Sequence, residues 1–241
     1  MEDHYPLRAQ RKTKSKPSSR EIQQLHALLA DVQATYTDSQ LSQNMDRLLE
    51  SHLKSARVPI TNMMSLGLGS LFTAKGQTRR IKQLTIFLAI RDSLQRMLRR
   101  EIEIYAQDPA FTRTDEALLS SLGIHIARTP SGSQLGEAAS LIDTSTIIYS
   151  PFLTLEAYEQ LLLHSRSPVQ VLIGDDFNGL LNKWPKHTAE RAQVEGVARS
   201  AISKYRRRAI GGEGFWITED QSFPMAMYSI QSHSQEKKAK L

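Results

Sequence analysis

The sequence predicts an α/β protein: a mostly parallel sheet with helices on both faces, a helical extension at the N-terminus and a hairpin at the C-terminus. Three observations predict it. From residue 58 to residue 175, short apolar runs alternate with segments whose apolar residues recur at helical spacing. The first of those runs leads straight into a glycine turn, Gly67-Leu68-Gly69-Ser70. The intervals between runs are long enough to carry crossover helices, which place successive strands parallel.

Residues 1–18 mix Arg, Lys, Gln and Ser with two prolines and little apolar content, the composition of a disordered basic tail. Residues 19–57 read as two helices packed on the sheet. Ser18 and Glu21 have capping-box spacing before Ile22, Leu25, Leu28, Leu29 and Val32, and Thr37 with Gln40 repeats it before Leu41, Met45, Leu48, Leu49 and Leu53. The α/β domain then runs over 58–230. Val58–Leu66 is its first strand, and Thr78–Arg100 is a long helix with Ile81, Leu84, Phe87, Leu88 and Leu94 turned inward. Ile102–Ala106 is the second strand. Thr112 or Thr114 caps a short helix that Gly123 ends. Ile124–Ala127 and Thr146–Ser150 are the third and fourth strands, and Thr154 caps the helix between the fourth strand and the fifth, Val169–Gly174. A long helix over 188–208 follows. Phe215–Thr218 and Met225–Tyr228 form the closing hairpin, and residues 231–241 are a polar basic tail. This is a Rossmann-like arrangement.

The 241 residues suit one generous domain, with 40% hydrophobic and 23% charged residues. No apolar run approaches the roughly 18 residues that span a bilayer, so no membrane partner is expected. The opening Met1-Glu2-Asp3-His4 lacks the apolar segment of a secretory signal, and the expected location is cytoplasmic, nuclear or both. There are no cysteines, which excludes disulfides, thiolate metal sites and cysteine nucleophiles. The net charge of +6 is concentrated: residues 1–20 carry +4, residues 199–208 carry +5 and the stretch 236–240 carries +2, which leaves the remainder at −5. A basic nucleic-acid face over the whole domain is therefore not predicted. The candidate contact is the patch Arg206, Arg207, Arg208, read as the end of a helix where cations also suit the helix dipole. Any nucleic-acid binding through it is expected to be non-specific.

The glycine turn carries the clearest chemistry. Gly67 and Gly69 let the backbone approach a ligand closely, and a helix start beyond Ser70 offers free N–H groups. A dinucleotide site would add a third glycine and an acidic residue about 20 positions on; neither is present. A class I methyltransferase-like arrangement fits better, because it needs a glycine turn after the first strand and an acidic residue after the second, here Asp108. Packing alone is the other reading of the turn. Asp108-Pro109 stands at a strand end, where α/β sheets bind ligands, but is also ordinary turn chemistry. Asp175 and Asp176 form either a carboxylate pair or a helix cap. The seven histidines lack ligand spacing, so no metal site is predicted, and no Gly-x-Ser-x-Gly elbow or phosphate-binding Walker loop occurs. If the sheet is parallel, the turns at Gly67–Ser70, Asp108–Thr112, Ser150–Phe152 and Asp175–Phe177 converge at one edge. Pro109, Phe111, Thr112, Pro151, Phe152 and Phe177 would then surround a small ligand with a planar part and a polar part.

Several blocks together resemble the sensitivity-to-red-light-reduced (SRR-like) domain family. They are Ser65–Ser70 with the following Gln83–Arg91 helix, then Tyr105, Asp108–Thr112, Asp115-Glu116, Leu118-Leu119 and Leu122-Gly123. Ile147–Pro151, Tyr158–Leu162, Leu172–Gly174 and Phe177 complete the set over about residues 60–180. Two positions depart from the family pattern. Pro151-Phe152-Leu153 stands where relatives often have Pro-His-Cys, and Asp175-Asp176-Phe177 replaces an Asn-Ser-Phe-like turn. Any chemistry that a histidine and cysteine perform in relatives is therefore lost here. The resemblance implies a regulatory role, in a family linked to light and circadian signalling, haem-related regulation and cytoskeletal phenotypes, with a protein partner or a small-molecule ligand. It implies no particular cofactor and leaves open whether the chain is an enzyme.

Overall fold

The apolar runs pair into one seven-stranded sheet in the order β3-β2-β1-β4-β5-β7-β6. The computed structural model describes residues 19–131, 134–212, 214–216 and 224–230. Strands β1 (Asn62–Leu66), β2 (Glu103–Gln107), β3 (Ile124–Ile126), β4 (Thr146–Ser150) and β5 (Val171–Asp175) are parallel. β6 (Tyr205–Ile210) and β7 (Met225–Ile230) are antiparallel to each other, and β7 is antiparallel to β5.

Both faces of the central strands are buried, which is why those strands read as continuous apolar runs rather than alternating ones. Alternation survives in what each residue touches. Met63, Ile147, Tyr149, Val171 and Ile173 join the core under α1 (Ser19–Thr37), α2 (Gln40–Leu53) and α3 (Gln77–Leu98). Met64, Leu66, Ile148 and Leu172 face the other core, under α5 (Ala138–Leu141), α6 (Leu155–Leu163), α7 (Phe177–Lys183) and α8 (Ala189–Val197). α4 (Arg113–Ser121) packs Leu118 and Leu119 into the first core. Leu41, Met45 and Leu49 of α2 are buried at i, i+4, i+8 spacing along one helix face, and each contributes about 2 kcal/mol of apolar burial to that layer.

The helix starts follow side-chain capping. Ser39 caps α2, Thr112 and Asp115 form a reciprocal capping box on α4, and Thr154 caps α6. Thr37 does not cap the second helix as its spacing predicts: it is the last residue of α1, and its hydroxyl donates to Gln33 O at 2.9 Å. Ser18, the residues of the N-terminal tail and those of the 231–241 tail lie outside the described residues.

The C-terminal third differs most from expectation. The helix over 188–208 is instead α8, a π-helical turn at Ala198–Ile202, and strand β6. Arg206–Arg208 therefore lies in an edge strand and not at a helix end. Arginine is a good helix former, and a strand written in arginines gives no periodic apolar signal; charge on an edge strand also discourages unwanted pairing. The hairpin partner of β7 is β6, with Arg207 opposite Tyr228. Phe215 and Trp216 lie in a bend, Phe215 fully buried against Tyr36 with ring centroids 5.2 Å apart; Ile217 and Thr218 lie outside the described residues. The first strand begins at Asn62, because Val58 is exposed and Pro59 cannot donate to the ladder.

Candidate functional site

Parallel pairing brings the ends of β1, β2, β4 and β5 to one edge of the sheet, and their turns meet there. Gly67 and Gly69 both adopt left-handed backbone, at φ 77° and 76°. Gly69 N–H donates to Asp108 Oδ2 at 2.7 Å, and Ala110 N–H donates to Oδ1 at 2.7 Å, so the carboxylate after β2 ties down the turn after β1. Burial raises the Asp108 pKa from its ordinary value, against the lowering effect of these two N–H donors. Beyond Ser70, which is buried, Leu71 N–H donates to Asp115 Oδ1 at 2.7 Å. α3 starts only at Gln77, so its free N–H groups stand a loop away from the glycine turn.

A cavity of about 160 Å³ opens at this edge, lined among others by Leu66, Gly67, Asp108, Pro109, Phe152 and Leu153. Leu66 and Leu153 belong to the core under α6, so the cavity lies toward that face of the sheet. Gln107 closes the side next to β2. Its amide nitrogen donates to Gln134 O at 3.3 Å, and its amide oxygen accepts from Ala138 N–H at 3.2 Å. Phe152 forms the opposite wall. It is a non-glycine residue at φ 67°, a conformation that costs about 1 kcal/mol or more and that clusters at ligand sites. The Arg79 guanidinium lies 4.5 Å from the centroid of its ring.

The expected residues divide clearly. Gly67, Asp108, Pro109 and Phe152 line the cavity, and Gly69 holds the loop behind it. Thr112 is consumed in capping α4: its hydroxyl donates to Asp115 Oδ2 and accepts from Asp115 N–H. Phe111 packs on the other core. Pro151 is buried in the turn. Phe177 is fully buried between Tyr158 and Tyr228, at centroid distances of 5.2 and 6.1 Å, and is a core residue rather than a cleft ring. Of the three aromatic rings expected at the edge, only Phe152 reaches the cavity.

Asp175 and Asp176 diverge, as adjacent turn residues do. Asp175 is 5% exposed and accepts the Phe152 N–H at 2.9 Å. Tyr158 Oη stands 3.0 Å from its Oδ2 and 2.6 Å from Ser150 O, so one hydroxyl proton serves both acceptors. Asp176 caps α7 and binds Arg207 through both carboxylate oxygens, at 2.6 and 2.5 Å. Arg208 donates to Ser51 Oγ at 2.9 Å. Arg207 thus lies on the opposite face of β6 from Arg206 and Arg208, which are close enough for the Arg206 charge to act on Arg208, and the three do not form one patch. Gln107 and Leu135, which line the cavity, Arg79, which lies over Phe152, and Asp115, which holds Leu71 N–H behind it, were not foreseen as site residues. Gln107 ends a strand and Asp115 follows a capping threonine, signals that read as structure alone. Among the described residues no group of three His, Asp or Glu side chains is placed to hold a metal, and no helix is long and apolar enough to cross a membrane.

A mostly parallel doubly wound sheet with its cleft at the strand ends defines a Rossmann-like α/β protein. The chain belongs to the SRR1 domain family, whose profile matches residues 23–235. No curated protein matches it. Among solved structures, fibrillarin from Aeropyrum pernix with natively bound S-adenosyl-L-methionine is 12% identical, with 77% of this chain and 76% of that one covered at a TM-score of 0.39. A protein from Corynebacterium glutamicum is 11% identical over 91% and 85%, at 0.42. The plantazolicin methyltransferase BpumL, in complex with a triazolic desmethylPZN analog and SAH, is 10% identical over 89% and 100%, at 0.38.

Proposed function

We propose that this SRR1-domain chain is a regulatory protein that takes a small planar ligand at the C-terminal edge of its sheet. The cavity bounded by Gly67, Asp108 and Phe152 carries the reading. Its size matches one ring: an engineered cavity of about 150 Å³ accepts benzene. Phe152 supplies an apolar wall, and Asp108 supplies acceptor oxygens for a donor on the ligand. Phosphate is disfavoured, since the Gly69 N–H that would cradle it is already bound to a carboxylate.

A second reading, an S-adenosylmethionine-dependent transferase, is favoured by one specific feature. An acidic residue after β2 faces the glycine turn after β1, in a sheet whose antiparallel β7 lies between β5 and β6 as in class I methyltransferase sheets. In this reading the cavity accepts the ligand's base.

Native mass spectrometry of freshly purified protein, followed by thermal shift with adenosine, S-adenosylhomocysteine and haem precursors, tests both readings. We expect a retained small molecule or a stabilising ligand, with the shift abolished by Ala157→Leu, which fills the cavity from α6, and reduced by Asp108→Asn. Gly69→Val is a poor probe. Its Cβ would stand 2.7 Å from Arg80 Cδ in left-handed backbone, so the variant loses stability whether or not a ligand binds. If no compound stabilises the wild type and none co-purifies, the ligand reading fails. A shift with S-adenosylhomocysteine but not with adenosine favours the transferase.

A further inference from the structure

We propose that Asp175 is a positioning residue for the cleft: its buried carboxylate holds the backbone of Phe152, and through it the ring that forms the cavity wall. The proposal rests on the ligand reading above, and it concerns a side chain that does not itself line the cavity. Phe152 is one of three non-glycine residues with positive φ among the described residues, and the only one of them at the cavity. A phenylalanine does not enter left-handed backbone unless its surroundings hold it there.

The hold is visible. Phe152 N–H donates 2.9 Å to Asp175 Oδ2, the same oxygen that Tyr158 Oη approaches at 3.0 Å. Tyr158 is fixed in turn by Ser150 O, immediately before Pro151, and by the Asp175 backbone N–H, which donates to its hydroxyl at 3.0 Å. Strand β5, helix α6 and the turn after β4 are therefore joined through one carboxylate. The Arg79 guanidinium of α3 lies over the ring, 4.5 Å from its centroid, so a backbone anchor and a cation both act on this residue.

This anchor has a titration that can be observed. Burial pushes the Asp175 pKa up to about 6, while the Tyr158 hydroxyl, the Phe152 and Asp175 N–H groups and the Lys183 ammonium oppose the rise. The charged or titratable groups around it are few. Tyr158 on α6, Tyr149 on β4 and Tyr228 on β7 all have pKa values raised by burial, so they stay neutral near pH 6. Lys183 on α7 is the facing cation, and the neighbouring Asp176 is bound to Arg207 of β6. No histidine is among the groups acting on Asp175. Ionised, the carboxylate is a stronger acceptor for the Phe152 N–H than the protonated acid is.

Two measurements on the full chain test this. The first follows the amide signal of Phe152 by NMR between about pH 5 and about pH 7.5. We expect one titration with a midpoint of about 6 in the wild type and a flat response in Asp175→Asn. A flat wild-type signal overturns the proposal, and this arm needs neither a ligand nor a fragile variant. The second measures adenosine affinity by calorimetry. Asp175→Ala is expected to lower it by at least about fivefold, while Asp175→Asn, which retains an acceptor oxygen, loses less. If adenosine binds and Asp175→Ala binds it equally well, the positioning role is wrong and the site stands. If the Phe152 amide titrates but adenosine fails to bind the wild type, the anchor stands and adenosine is excluded as the planar group.

Discussion

Asp175 also has a thermodynamic signature at the scale of one residue. Its folded pKa of about 6 lies above the ordinary 3.8, so the native state binds the proton more tightly than the unfolded chain does. The linked stability is fully present below about pH 4 and is lost as the pH rises through about 6, a change of roughly 3 kcal/mol for two pKa units. Asp175→Asn cannot titrate. Urea unfolding of both proteins at about pH 4 and about pH 7 should therefore show the variant gaining on the wild type as pH rises. An unchanged difference between the two would mean that the carboxylate is not desolvated. None of this was legible in the sequence. Asp175-Asp176 reads as a carboxylate pair or a helix cap; the fold bears out the cap for Asp176, and only the fold shows that Asp175 enters the protein instead. By contrast, Asp108 was legible, because a carboxylate after a strand end is placed by strand geometry alone.

At the scale of elements, legibility followed burial. β1, β4 and β5 are buried on both faces and announced themselves as apolar runs. β6 did not, since Arg206 to Arg208 hide an edge strand inside a helix-forming composition. The same strand explains why its arginines are unequal. Arg207 holds Asp176, whose side chain is only 9% exposed, whereas Arg206 projects into solvent. Arg207→Ala should cost about 1–2 kcal/mol by leaving a buried carboxylate without its partner, and Arg206→Ala less than about 0.5. The urea midpoints of the two variants, at unchanged m-value, give that comparison directly. Equal effects would mean that the ion pair contributes nothing. Weak polyanion binding through this strand should fall steeply with salt, because each phosphate contact releases condensed counterions.

At the scale of the whole molecule, the question is whether the two N-terminal helices are an extension or part of the fold. Their sequence spacing gave two amphipathic helices and no indication of how deeply they insert, because an apolar stripe does not state what covers it. Leu25, Leu29, Val32 and Tyr36 of α1 and Leu41, Met45 and Leu49 of α2 are buried in the same core as Phe87 of α3 and Tyr149 of β4. Tyr36 packs edge-on against Phe215, from the connection between β6 and β7, so this layer joins the two ends of the described chain. Seven large apolar side chains at about 2 kcal/mol each are as large as the net stability of a whole domain. A chain starting at residue 58 is therefore expected to lose cooperative unfolding and aggregate through the exposed face of α3, even though it retains every strand. Leu88→Asp and Ile148→Asp, which place a charge at positions 4% and 0% exposed, should unfold the intact protein by the same loss of core. Calorimetry decides the matter. A truncated chain with a single sharp transition near that of the full protein would make α1 and α2 an appendage, and one without a transition would make them half of the core.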